Sequence, residues 1–147
     1  MIAFAGPDRP VPIRGNKHAI GDAIRNLIEN AVMHSPSCSE VTVSVAPAGR
    51  VSVLDRGPGI ASEHRELIFE RFWRGKGTAS NGAGLGLAIV REIMNAHRGS
   101  IRVDQGPAGG ASFTLCFAED ARWLGSAEAT RRSSSPAKAG DPVNGAA

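Results

Sequence analysis

Between Ile20 and Pro36, in the run IGDAIRNLIENAVMHSP, the apolar residues Ile20, Ala23, Ile24, Leu27, Ile28, Ala31 and Val32 recur at i, i+3, i+4 and i+7. That is the period of one helical face, and it predicts a core helix. Further on the period changes to two. Val41, Val43 and Val45 alternate with Thr42 and Ser44, and a Pro47-Ala48-Gly49 turn leads to Val51 and Val53, which predicts an antiparallel hairpin with one apolar face. Ile101 and Val103, a turn from Gly106 to Gly110, and Phe113, Leu115 and Phe117 predict a second hairpin. Between the two, residues 67–72 predict a short helix and residues 84–97 a long one. The long helix carries one stripe at Leu85, Ala88, Ile89, Ile93 and Ala96 and another at Leu87, Val90 and Met94, so it needs cover on two sides. Ahead of the first helix, Ile2 and Phe4, then Gly6-Pro7-Asp8, then Val11 and Ile13 predict a small hairpin. Helices segregated on one face of a mostly antiparallel sheet give a fold of class α+β, a two-layer sandwich.

Past Ala118 the pattern dissolves into Ala, Ser, Gly, Pro and scattered charge, with Ser133-Ser134-Ser135-Pro136 and Asp141-Pro142 as breakers. Such a segment buries too little apolar area to offset its ordering entropy. The expectation is one domain over residues 1–118 and a disordered tail over 119–147, with at most a turn held by Trp123 and Leu124. A hydrophobic content of 41% in 147 residues supports one core. The net charge of +3 is spread thinly and only 5% of residues are aromatic, which points no more to nucleic acid than to a small anionic ligand. No apolar run approaches the ~18 residues of a membrane span, and no basic-then-apolar leader opens the chain, so it reads as cytosolic. Cys38 and Cys116 lack CxxC spacing and partner histidines, and read as reduced structural thiols.

The polar residues of the first helix add to this picture. Asn26 and Asn30 are one turn apart at the edge of the apolar stripe, not opposite it. Two readings stand for them: hydrogen-bonded amides of a core helix, or amides that look into a cavity beside the core. Arg25 and Glu29 fall on the far side, spaced for an i, i+4 pair. The strand Val51 to Leu54 ends in Asp55-Arg56-Gly57-Pro58-Gly59-Ile60, which sets a carboxylate beside a backbone that a flat ligand can approach closely, or else is a surface turn. Gly82-Ala83-Gly84-Leu85-Gly86-Leu87 opens the long helix, where unpaired N–H groups and the helix dipole suit phosphate. Between these glycine segments stands Ile68-Phe69-Glu70-Arg71-Phe72-Trp73-Arg74, whose aromatics are either plain core or, with Arg71, Arg74 and Lys76, the base of a cationic lid. The P-loop is excluded, because Gly77 follows Lys76 and Glu70 stands where a glycine is needed; no GxGxxG follows a strand either.

The four segments NLIENAVMHSP, DRGPGI, IFERFWRG and GAGLGLAIV occur in that order. Order and spacing resemble the N, G1, F and G2 boxes of the catalytic ATP-binding domain of bacterial sensor histidine kinases, of the GHKL superfamily, over about residues 2–118. The resemblance implies a Bergerat-type sandwich with ATP between the two helices and a lid at residues 74–83. It assigns Asp55 to the adenine amino group, Asn30 to Mg²⁺ and Asn26 to the phosphate end, with Arg71, Arg74 and the Gly82–Gly86 backbone near the phosphates. The implied nucleotide-binding set is Asp55, Gly57, Gly59, Ile60, Lys76, Gly82, Gly84, Leu85, Gly86 and Leu87. The implied catalytic set is Asn26, Asn30, Arg71 and Arg74, with Asn30 also the metal ligand. The cofactors are then ATP and Mg²⁺, and the activity is transfer of the γ-phosphoryl group to histidine in two-component signalling.

The acceptor itself is not among the motifs. His18 and His34 flank the first helix, His97 ends the last, and His64 opens an HREL run that resembles an acceptor box only superficially. The expected partners are therefore ATP, a dimerisation domain carrying the histidine, in trans or in a missing N-terminal part, and a response regulator. The chain would work in the cytoplasm, alone or as part of a membrane-anchored sensor kinase. Two other readings use the same fold: a serine kinase of the anti-sigma type, which the aromatic and basic IFERFWRG segment disfavours, and a non-catalytic ATP-binding interaction module, for which losses at Asp55, Asn30 or the glycines would be expected.

Overall fold

The structure, a computed structural model, describes residues 1–75 and 83–118. Lys76 and Gly82, most of the expected lid and the expected tail lie outside the described residues. In chain order the elements are strand β1 (Ile2–Ala5), helix α1 (Lys17–His34), strands β2 (Val41–Ala46) and β3 (Arg50–Leu54), helix α2 (Gly86–Ala96), and strands β4 (Ser100–Gln105) and β5 (Ala111–Cys116). The five strands form one sheet in the order β1-β2-β3-β5-β4. Both expected hairpins form, with Val43 opposite Val53 and Val103 opposite Phe113. Val41, Val43, Val51, Val53, Val103, Phe113 and Leu115 are all buried, one residue in two, so one face of the sheet carries the core. Thr114 and Ser52 share a hydrogen bond on the other face. Both helices pack on the apolar face and on each other, which makes the two-layer α+β sandwich.

The N-terminal hairpin does not form. Residues 2–5 pair with Val41–Ser44 in parallel, and α1 is the crossover that a parallel pair requires. Val11 and Ile13 form no strand, since Pro10 and Pro12 beside them lack the N–H a ladder needs. Ile13 packs against the core as a side chain instead.

Asn16 caps α1, its side-chain oxygen accepting from the His18 and Ala19 N–H groups at 3.0 and 3.1 Å. Ile20, Ala23, Leu27 and Ala31 are buried and Ile24 and Ile28 pack beside them. Val32 does not join them. It lies about 100° around the helix from Ala31 and is 53% exposed. Arg25 pairs with Asp22 rather than with Glu29.

The long helix starts at Gly86, two residues later than its apolar pattern, because Gly84 has φ +70 and cannot be helical. Val90 and Met94 of the second stripe are fully buried, while Ile89 of the first is exposed. Ala88 is buried and Ile93 packs on the core, so α1 and the sheet cover the helix from two sides and Ile89 is left exposed. The short helix expected over residues 67–72 is a single 3₁₀ turn, Leu67–Phe69, ended by the extended backbone of Glu70, and another 3₁₀ turn, Ser62–His64, precedes it. Ile68 and Phe69 are buried, with the Phe69 ring edge-on to Phe113 at 6.5 Å.

His97 ties the two helices together at one end. Its Nε2 accepts from the Asn16 N–H at 3.0 Å, which places the ring proton on Nδ1, 2.7 Å from the Ile93 carbonyl. Gly15 lies against this ring so closely that a Cβ would stand 2.6 Å from the imidazole. His97→Ala leaves the Asn16 N–H without its acceptor and opens a gap over Gly15. Unfolding by urea is expected to show about 1–2 kcal/mol of lost stability, and an unchanged midpoint would mean that the contact contributes nothing.

Candidate nucleotide site

Strand β3 delivers Asp55 to the edge of the core, where the residue is only 3% exposed. Burial of a carboxylate demands hydrogen bonds. Oδ1 accepts two, from the Gly57 N–H at 2.8 Å and the Ala111 N–H at 2.9 Å. The Asp55 N–H in turn donates to the Ala111 carbonyl at 3.0 Å, so the strand end and the start of β5 clasp each other. Oδ2 takes none of these bonds. No buried side-chain polar atom lacks a partner among the described residues, so Oδ2 is reached from the open side of the site.

The glycines after Asp55 are set by close packing. A Cβ at Gly57 would lie 2.6 Å from the His34 carbonyl, at the end of α1, and the Arg56 N–H donates to Ser35 Oγ at 3.2 Å. Gly59 has φ +76 and leaves no room for a Cβ against the Gly109 carbonyl. Ile60 packs against the core behind this loop.

Eight residues earlier on α1, about 12 Å along its axis, Asn26 faces the start of α2. Its Nδ2 donates to the Asp22 carbonyl at 2.9 Å. Its oxygen is close enough to Gly86 that a Cβ there would stand 3.1 Å away. The N-cap of α2 is Leu85, which has no side chain able to accept, so the first N–H groups of the helix have no side-chain cap. Asn30 is half-buried between these two ends, and Leu87 packs against the core beneath them.

The aromatic and basic segment is held to α2 by two crossed ion pairs, Arg71 with Glu92 and Arg91 with Glu70, the latter at 2.9 Å. The Arg71 guanidinium is therefore taken up by Glu92 on the outer side of α2, which raises its pKa through that hydrogen bond and the carboxylate charge. Elsewhere the Glu63 carboxyl is lowered, first by a backbone hydrogen bond of its own residue and then by the Ser62 hydroxyl, away from Asp55. Phe72 turns through φ +63, its N–H donating to the Gly84 carbonyl at 2.9 Å, and its ring is 70% exposed. The two ends of the intervening loop are thus joined at Phe72 and Gly84. The Trp73 ring meets His64 at a tilt of 55°, centroids 5.5 Å apart, and Arg74 is exposed. Cys38 and Cys116 are free thiols, and no cluster of three metal-ligating residues occurs among the described residues.

Two features of the site escaped the pattern of the chain. The turn from Gly106 to Gly110 reads as an ordinary hairpin connection, yet Ala111 supplies a hydrogen bond to Asp55 and Gly110 packs against it. Two adjacent glycines directly before a strand were the available signal.

A glycine-lined end with a buried acceptor and a helix start without a side-chain cap face one another along α1 of this α/β sandwich. Residues 15–121 match the family described as histidine kinase-, DNA gyrase B-, and HSP90-like ATPase, and the chain belongs to it. It is 40% identical over 120 residues to the sensor-like histidine kinase SenX3 of Mycolicibacterium smegmatis, covering 76% of this chain and 31% of that relative. Among solved structures, the mycobacterial sensor histidine kinase MprB has 33% identity and a TM-score of 0.66, over 78% of this chain and 79% of that one. Full-length ShkA, solved in complex with AMPPNP, has 32% identity and a TM-score of 0.63, over 81% of this chain and 26% of that one. The chain spans about a third of the length of the curated relatives it matches. It is an ATP-binding domain of the histidine kinase type, in the GHKL family. No helix among the described residues is long and apolar enough to cross a membrane.

The crossed pairs are exposed and hence sensitive to salt. If Arg71 acts by holding its segment to α2, Arg71→Gln and Glu92→Gln should each speed hydrogen exchange at the Phe72 N–H, and the double variant should do little more than either. Additive effects, or effects unchanged by 1 M salt, would show that Arg71 and Glu92 act separately.

Proposed function

We propose that the chain binds Mg²⁺-ATP between α1 and α2 and donates its γ-phosphoryl group to a histidine on a dimerisation domain, in trans or elsewhere in the same protein, within two-component signalling. The observation that carries this reading is the relation of the two ends of the site along α1. The loop that follows the buried Asp55 meets one end of that helix at His34 and Ser35, and the uncapped start of α2 lies against Asn26 about 12 Å along the helix, the span of a nucleoside triphosphate rather than of a base alone. In this reading Oδ2 of Asp55 accepts from the adenine amino group, while Gly57, Gly59 and Ile60 admit the flat base. The Gly84–Leu87 backbone and Asn26 take the phosphates, with Arg74, Lys76 and Gly82 from the adjoining loop. Arg71 reaches the phosphates only by leaving Glu92. A response regulator is the expected next acceptor, and the domain occupies residues 1–118 with 119–147 as a tail.

The donor set at Asn30 is a single neutral amide oxygen, too little to hold Mg²⁺ alone. It suits a metal that arrives with the phosphates and keeps its waters. When bound, Mg²⁺ neutralises phosphate charge; the protein's own part is to orient, since phosphoryl transfer depends mainly on positioning and charge stabilisation. Asn30→Ala is expected to weaken Mg²⁺-ATP binding while leaving metal-free adenosine binding nearly unchanged by calorimetry. Equal loss for both ligands would make Asn30 a structural amide of the core helix.

Incubated alone with labelled ATP, the chain should acquire no acid-labile, base-stable label, because none of its four histidines lies in an acceptor context. Mixed with a cognate helical dimerisation domain, it should label the partner's histidine slowly, as expected without a tether. Label on His64 would overturn the donor-only reading. Label on a partner serine would indicate a kinase of the anti-sigma type, and no transfer to any partner despite tight ATP binding would indicate a non-catalytic module.

A further inference from the structure

We propose that the β4–β5 turn, through Gly110 and the Ala111 N–H, is a specificity-determining element that sets which purine the site accepts, a proposal that rests on Asp55 as the base acceptor. Asp55 by itself does not determine the outcome, because an unheld side chain rotates about its single bonds and presents its acceptor in no fixed place. Here rotation is blocked. The Gly57 and Ala111 N–H groups converge on Oδ1 at 2.8 and 2.9 Å, so Oδ2 alone is left to meet a ligand.

That convergence depends on the absence of a side chain at residue 110. A Cβ there would overlap the Asp55 carbonyl and stand 2.7 Å from Oδ1. The closest contact is with backbone, which cannot swing aside as a side-chain end can, so the backbone would have to part. Parting would withdraw the Ala111 N–H from Oδ1 and break the reciprocal bond from the Asp55 N–H to the Ala111 carbonyl.

The turn is braced from behind. The Gly106 N–H donates to the Gly110 carbonyl at 2.6 Å and the Gly109 N–H to the Gly106 carbonyl at 3.0 Å. The Gln105 amide donates to the Gly109 carbonyl. A Cβ at Gly59 would lie 2.6 Å from that carbonyl and 2.8 Å from the Gln105 amide nitrogen, so the loop after Asp55 and the turn are seated on each other. Gln105, Gly109 and Gly110 are therefore positioning residues that act through Asp55.

The chemistry gives a directional consequence. Two fixed N–H donors facing residue 55 can donate to an oxygen but repel an amino group. In Asp55→Asn the amide is then forced to keep its oxygen at the Oδ1 position and turn its NH₂ toward the ligand. The site changes from an acceptor, matched to a 6-amino purine, to a donor, matched to a 6-oxo purine. The orientation that makes this substitution a reversal, and not a simple loss, comes from the turn.

The test measures calorimetric affinities for Mg²⁺-ATP and Mg²⁺-GTP on the full chain and three variants, each checked for folding by circular dichroism. The wild type should prefer ATP, and Asp55→Asn should lower ATP affinity more than tenfold while GTP affinity holds or rises. Gly110→Ala should reduce the ATP/GTP ratio by about tenfold, and Gln105→Ala by about threefold. A general loosening of the fold lowers both nucleotides alike and leaves the ratio where it was. If Gly110→Ala does not fold, Gln105→Ala decides: a reduced ratio supports the turn's role. An unchanged ratio in the folded variants overturns that role while leaving Asp55 as the acceptor. If the wild type binds ATP and GTP equally, or Asp55→Asn binds ATP as the wild type does, the base-pocket reading itself fails and the turn's role fails with it.

Discussion

The reciprocal pairing of Asp55 with Ala111 is the constraint on which the rest of the site depends. A carboxylate in a nearly closed position is tolerated only where hydrogen bonds replace its water. The sheet supplies them by ending β3 and starting β5 at the same level, so that two backbone donors meet one oxygen. The cost is an exclusion of side chains at Gly57 and Gly110, which face the α1 terminus and the Asp55 backbone respectively. An acceptor that is dry on one side and open on the other is a strong recognition group, since its unmet hydrogen bond is worth more in low dielectric than in water.

Helix α1 is the common wall of this site. As the crossover between the parallel strands β1 and β2 it is placed by topology, and its buried stripe presses it onto β2 and β3. Its last turn holds the loop after Asp55 through His34 and Ser35, and its middle meets α2 at Asn26 and Gly86. At the other end His97 joins the Asn16 cap to the end of α2. The Asp55 end and the Gly86 end are thus registered by one rigid element, whose rise per residue is fixed. A ligand that bridges the two ends meets a spacing that no loop has to find.

The aromatic and basic segment is built differently. Ile68, Phe69 and Trp73 pack on the core, while Glu70 and Arg71 hold the segment to α2 through exposed ion pairs. Such contacts are weak and screened by salt.

Local period carried most of the fold. Strands β2 to β5, both helices and the apolar face of the sheet follow from alternation and from i, i+3, i+4 spacing, because those patterns are set by how a residue's neighbours in sequence point. Asp55 and its glycines were legible as a strand-end acceptor, and the order of the four motifs identified the family. Long-range packing decided what local pattern could not. It sent β1 to a parallel partner 39 residues away, left Val32 and Ile89 in solvent, gave Arg25 to Asp22, and set Arg71 against Glu92. Above all it made Gly110 and Ala111 part of the setting of Asp55. A glycine's need for space is invisible until the atom that would fill that space is known, and here that atom belongs to a residue 55 positions earlier in the chain.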